Sequence, residues 1–253
     1  MRSRSTPREI LLVRHGESVA NVASMEAERS GSQRLDVTSR EADVPLSEQG
    51  EQQADAVGRW LRDLDPDDTP LAVWSSPYLR AHDTARRALR AAGIDLQVRL
   101  DERLRDRDLG VFDRLSTAGI KALEPDEAER RAWHGKFYHR PGGGESWTDL
   151  AARVRAFLAD LESLADPPKR VLITCHDAVI MTFRYVCEGL TEEEVLALAR
   201  DRPVGNASLT LLRRDDNDPL ALAGSWHAVL TQADDHLTGD AAEHTDEPGS
   251  SDV

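Results

Sequence analysis

The chain has 253 residues, 40% of them hydrophobic, and a net charge of −14. This is long enough for one sizeable α/β domain, and no run of about 18 apolar residues offers a transmembrane helix. Ten acids and no Lys or Arg follow Arg214, which leaves −4 on residues 1–214. This nearly balanced body argues against nucleic acid as a partner and leaves a small anionic substrate open.

Residues 1–8 read as a short lead without an apolar h-region, so no secretory signal is expected. Ile10-Leu11-Leu12-Val13 is an unbroken apolar run, the pattern of a strand buried on both faces. Residues 71–74, 171–174 and 209–212 repeat it. Helical periods lie between these runs. Ser47 is placed to cap a helix carrying Ala54, Val57, Leu61 and Leu64 on one side. Ser76-Pro77 opens another through Ala81, Ala85 and Leu89, with proline at the favoured first position. Ser146 heads a third helix bearing Leu150, Val154, Phe157 and Leu161, and Thr191 with Glu194 fits a capping box. Strands alternating with helices predict a three-layer α/β/α fold with a mostly parallel central sheet.

Two stretches break the alternation. Residues 22–44 are polar and weakly periodic, and residues 113–144 mix charge, aromatics and Gly142-Gly143-Gly144. Insertions of this size are expected to act as lids or specificity loops near the site, or else to be disordered. Residues 233–253 are predicted to be a disordered acidic tail, leaving residues 1–232 as a single domain. Cys175 and Cys187 form neither a disulfide framework nor a zinc site, and a cytoplasmic location is expected.

The chemistry concentrates at strand ends, where open α/β sheets bind ligands. Arg14-His15-Gly16-Glu17 follows the first buried run. Neutral imidazole is nucleophilic near neutral pH, and an arginine fork suits phosphoryl oxygens. Arg80 lies in the first turn of a helix after the second run, at an end that favours anions. His176 follows the run at 171–174. A lone strand-end histidine is commonly a structural hydrogen-bonder, and a lone arginine at a helix start a solvated charge. Their coincidence at three strand ends points to one phosphate-sized site.

Leu12-Val13-Arg14-His15-Gly16-Glu17-Ser18 resembles the signature of the histidine phosphatase superfamily, the phosphoglycerate mutase-like proteins. Pro45-Leu46-Ser47-Glu48-Gln49-Gly50, Ser75-Ser76-Pro77-Tyr78-Leu79-Arg80-Ala81, Leu104-Arg105-Asp106-Arg107-Asp108-Leu109-Gly110, Gly143-Gly144-Glu145-Ser146 and Thr174-Cys175-His176 resemble its later blocks in order. The resemblance spans roughly residues 8–212 and implies a phosphoglycerate mutase-like fold. It implies that His15 is phosphorylated, that Arg14 and Arg80 hold the phosphoryl group, and that His176 donates to the transition state. Asn21 matches a family asparagine near the phosphate, or serves as a loop cap.

Two positions depart from the family pattern. Asp106 stands where many relatives carry glutamate, leaving Asp106, Asp108 or Glu145 as candidate acids, with Glu102 a weaker fourth. Asp177 replaces the glycine that usually follows the second histidine, and either caps the next helix or faces the pocket. The implied reaction is hydrolysis of a small phosphorylated metabolite by double displacement. A phosphoglycerate mutase-type phosphotransferase is the alternative, and a non-catalytic phospholigand module a further one. No His, Asp or Glu set has metal-ligand spacing, so neither metal nor cofactor is expected. No membrane partner is expected, and nothing in the pattern fixes an oligomeric state. The cluster Arg130, Arg131, Trp133, His134, Lys136, Tyr138, His139 and Arg140 is either a solvated helix end or a lid offering cations to a second anionic group.

Overall fold

The computed structural model describes residues 7–70, 72–215 and 225–242. Six strands form one sheet: β1 (Glu9–Arg14), β2 (Ala72–Ser75), β3 (Val98–Leu100), β4 (Arg170–Cys175), β5 (Leu209–Arg214) and β6 (Trp226–Ala233). Their spatial order is β3-β2-β4-β1-β5-β6. β3, β2, β4 and β1 run parallel, while β5 and β6 add an antiparallel edge.

The unbroken apolar runs are explained by burial on both faces. Ile10 and Leu12 of β1 enter one core with Val171 and Ile173 of β4, against helices α6 (Trp147–Ser163) and α7 (Asp177–Glu188). Leu11, Val13 and Leu172 point the other way, into a core with α2 (Glu48–Arg62) and α3 (Leu79–Ala92). The result is the expected α/β/α sandwich. Among the described residues no helix is long and apolar enough to cross a membrane.

Local signals set the helix starts. Ser47 Oγ accepts from Gly50 N at 3.0 Å at the head of α2. Ser146 with Asp149, and Thr191 with Glu194 at the head of α8 (Glu192–Asp201), form capping boxes. α3 differs from expectation. It begins at Leu79, and Ser76 Oγ instead meets His176 Nε2 at 2.9 Å, so Pro77 precedes the helix.

The two breaks in the alternation contain helices of their own. Val19–Ser30 is α1, capped by Ser18 and Asn21 and ended by Gly31 at φ 71°. Thr117–Leu123 and Pro125–His134 are α4 and α5. Backbone bonds zip the two segments together: Leu35 N donates to Arg114 O at 3.0 Å and Ser116 N to Gln33 O at 3.2 Å. Phe112, Leu115 and Ile120 form a small separate core beneath the zipper.

The tail corrects the sequence reading. Leu237 and Ala241 are buried in the α2–α3 core, and His236 Nε2 lies 3.0 Å from Ala207 O. Isolated apolar residues among acids carry no period, so this docking left no pattern to read. The remainder of the tail, residues 243–253, most of the lead, residues 1–6, and Leu71 lie outside the described residues.

Candidate active site

Register brings three strand ends to one level. Arg14 pairs with Cys175 across β1 and β4, and Ser75 with Thr174 across β2 and β4. The next residues of the three strands, His15, His176 and Ser76, therefore emerge side by side. His15 N donates to Cys175 O at 3.0 Å and Ser76 N to Thr174 O at 2.9 Å, extending the ladder past the strands. Gly16 is required here, because a Cβ would stand 2.4 Å from Gly50 O where α2 begins.

His15 is 2% exposed. Its Nδ1 lies 2.7 Å from Gly16 O, an acceptor only, so Nδ1 carries the proton. Nε2 then accepts from Arg80 Nε at 3.2 Å. Both contacts demand the same tautomer. Burial, with Arg80, His176 and Arg14 nearby, holds the imidazole well below its ordinary pKa. The ring is neutral, with its basic nitrogen facing the cleft.

His176, 1% exposed, meets His15 edge-on with ring centroids 5.1 Å apart. Its Nδ1 lies 3.2 Å from Asp106 Oδ2. Burial pushes its pKa down to about 4, against the pull of Asp106. For Asp106, burial works upward, but His176, Arg80 and His15 outweigh it and hold the carboxyl well below the usual range. At neutral pH the pair is a neutral imidazole beside a carboxylate.

Arg80, 3% exposed, also donates to Asp106 Oδ2 at 3.0 Å and to Glu41 Oε1 at 2.6 Å. Arg14 Nη1 donates to Val204 O at 2.6 Å. Both arginines, His15, Asn21, Asp106 and Asp177 line a cavity of about 440 Å³. Asn21 serves both readings: its Oδ1 accepts from Ser18 N at 2.8 Å in the cap of α1, while the residue lines the cleft. Asp177 is the first residue of α7 and faces the cleft.

The side chains of His15, Asp106 and His176 also come together as a set able to hold a metal ion, with ligand atoms within 4.8 Å of one another. Sequence spacing had given no sign of this, since the three come from separate strand ends. Arg80 lies within 3.2 Å of both His15 Nε2 and Asp106 Oδ2, so a cation already sits among these groups and the site is better matched to an anion.

A family model, the histidine phosphatase superfamily (branch 1), matches residues 10–225. The chain belongs to the histidine phosphatase superfamily. Glucosyl-3-phosphoglycerate phosphatase of Mycobacterium tuberculosis is 34% identical over 212 residues, covering 81% of this chain and 85% of that protein. The 2,3-bisphosphoglycerate-dependent phosphoglycerate mutase 2 of Gloeobacter violaceus is 32% identical, covering 74% and 78%. The structure of the mycobacterial glucosyl-3-phosphoglycerate phosphatase with VO3 superposes with a TM-score of 0.69 at 30% identity, covering 90% of this chain and all of that one.

In this histidine phosphatase two expectations are corrected. Glu145 does not line the cavity. It accepts from Arg153 Nε and Nη2 at 3.0 Å each and from Arg105 Nη2 at 2.6 Å. Arg153 in turn donates to the carbonyls of Arg103, Arg105 and Asp106. Glu145 thus anchors the segment that carries Asp106. Glu102 is exposed on a short turn outside the cleft, and Asp108 lines the cleft while accepting from Gly110 N.

The basic-aromatic cluster stands outside the cleft. None of its members lines the cavity. Arg140 pairs with Asp149, Lys136 lies over the Trp147 ring at 5.8 Å, and Trp133 is 84% exposed. The cavity wall comes instead from residues 35–41 and 107–115, with Arg40, Arg107 and Arg114 as its outer cations. Arg107 is 9% exposed, donates to Glu145 O, and forms no ion pair among the described residues. Its pKa is pushed down to about 10 by burial and by Arg131. Sequence reasoning missed Arg107, Glu41 and Ser76. Arg107 sat within a matched block, whereas Glu41 reaches Arg80 across 39 positions with no local signal.

Proposed function

We propose that this histidine phosphatase is a phosphomonoester hydrolase that works through a phosphohistidine on His15 Nε2. The observation that carries the reading is the fixed tautomer of His15, whose buried basic nitrogen accepts from Arg80. His15 attacks phosphorus in line, Arg14 and Arg80 hold the phosphoryl oxygens, and His176, beside His15 and Asp106, helps to stabilise the charge they gain. Asp106 is held well below the usual carboxylate range, so the proton for the leaving oxygen arrives with a monoanionic phosphoester. The negative phosphoryl group raises the proton affinity of Asp106, which takes that proton and passes it to the departing alkoxide. The carboxylate then activates the water that hydrolyses phosphohistidine.

Arg107, which lines the cleft and forms no ion pair among the described residues, supports a substrate with a second anionic group beside the phosphoester, a phosphoglycerate-type compound such as the one named for the mycobacterial relative. The two buried free thiols fit a reducing, cytoplasmic location. Mutase activity is the second reading, favoured by the identity to the Gloeobacter mutase. Purified protein is screened against phosphorylated metabolites in excess chelator, including glucosyl-3-phosphoglycerate and 3-phosphoglycerate. Phosphate release supports hydrolysis. Isomerisation of 3-phosphoglycerate without phosphate release, dependent on a bisphosphate primer, supports the mutase.

A further inference from the structure

Arg80 has five N–H donors, and four are committed inside the protein. Nε serves His15, Nη1 serves the backbone carbonyl of Glu41 at 2.9 Å, and Nη2 serves Glu41 Oε1 and Asp106 Oδ2. One donor remains for a phosphoryl oxygen. A group meant to grip phosphate from two directions is therefore occupied, and half of its engagement is with one residue of the 22–44 segment.

The two carboxylates on Arg80 are not equivalent. Asp106 is fixed from behind, its Oδ1 accepting from Arg107 N at 2.8 Å. Glu41 sits on a three-residue 3-10 turn, its side chain is 40% exposed, and Arg80 is its one hydrogen-bond and ion-pair partner among the described residues. Once a phosphoryl group reaches Arg80, three anionic groups share one guanidinium. Repulsion falls on the carboxylate that is least tied. Burial, with Asp106 and Asp113 nearby, raises the pKa of Glu41 against the pull of Arg80, so its ionised form is held there at a cost.

We propose that Glu41 is a resident counter-anion: it holds phosphate-gripping donors of Arg80 and is displaced by the phosphoryl group. The displacement weakens the grip on inorganic phosphate after hydrolysis, so the product does not block the site. Its role is therefore to set anion affinity in the cleft. The proposal rests on the reading of Arg80 as a phosphate-binding residue.

The test compares competitive inhibition by inorganic phosphate and by orthovanadate in the full-length wild type, Glu41→Gln and Glu41→Ala, with nitrophenyl phosphate as substrate. Removing a charge-assisted competitor at a partly exposed position lowers the inhibition constant for both anions by roughly three- to thirtyfold. Glutamine keeps the shape of the contact, and alanine removes it, so a folding defect in one variant leaves the other informative. Inhibition constants that stay the same or rise in the folded variants overturn the proposal. So does a hundredfold loss of kcat on an alkyl phosphoester with nitrophenyl phosphate spared, which makes Glu41 the proton donor. Failure of either anion to compete in the wild type overturns the phosphate reading of Arg80 itself, and the proposal with it.

Discussion

Replacing Glu145 by glutamine separates a tie from a proton donor. Glu145 receives two bonds from Arg153 and one from Arg105, and Asp108 N adds a fourth at 3.1 Å. The Arg153 and Glu145 side chains are 9% and 14% exposed, so water does little to replace the lost charge. Removing one partner of a buried pair costs about 3–5 kcal/mol, and glutamine, which retains one acceptor, costs about 2–3 kcal/mol. At about 2–4 °C per kcal/mol for a chain of this size, Tm falls by about 4–12 °C. Activity on an alkyl phosphoester falls by less than about tenfold, because Asp106 is loosened but present. Thermal denaturation and steady-state kinetics with an alkyl phosphoester and nitrophenyl phosphate read both effects. An unchanged Tm with a loss of about 10²–10⁴-fold confined to the alkyl substrate, the signature of a lost general acid, would instead make Glu145 the proton donor.

Three other perturbations have definite expected outcomes. Because Asp106 is held ionised, kcat/KM for an alkyl phosphoester falls about tenfold per pH unit above the second phosphate ionisation near about pH 6, and Asp106→Asn lowers kcat about 10²–10⁴-fold. A flat profile to pH 8 means that Asp106 keeps its own proton in the free enzyme. Arg107→Ala raises KM for a phosphoester bearing a carboxylate about tenfold or more and barely moves that for nitrophenyl phosphate, since a charge-assisted bond is worth about 1.5–3 kcal/mol; equal effects on both remove Arg107 from substrate recognition. Deleting residues 234–253 strips Leu237 and Ala241 from the core and lowers Tm by about 4–10 °C, whereas deleting 243–253 removes neither contact; equal melting points for the two truncations refute the docking of the tail.

The sequence revealed what depends on periodicity and on local caps. The runs in β1, β2, β4 and β5 were legible because both of their faces are buried, and Ser47, Ser146 and Thr191 because a cap is written within four residues. β3 and β6 were missed: β3 is three residues long, and β6 is mostly half-exposed or exposed at the sheet edge. The site followed the same division. His15, Arg14, Arg80 and His176 stand at strand ends or the first turn of a helix, so their convergence follows from topology. Glu41 and the zipper between residues 33–35 and 114–116 depend on pairings between distant segments, which no local pattern encodes. Glu145 was misplaced for a related reason. Its block was recognisable, but only the fold shows that Arg153 claims its carboxylate.

The phosphorylated intermediate is the most direct test of the whole mechanism. Enzyme mixed with phosphorus-labelled substrate is quenched within one turnover, digested, and mapped for the labelled residue. The expected result is a base-stable, acid-labile phosphate on the peptide bearing His15, absent from His15→Ala, which also loses turnover. Label on another residue, or wild-type turnover by His15→Ala, contradicts the assignment of His15 as the nucleophile.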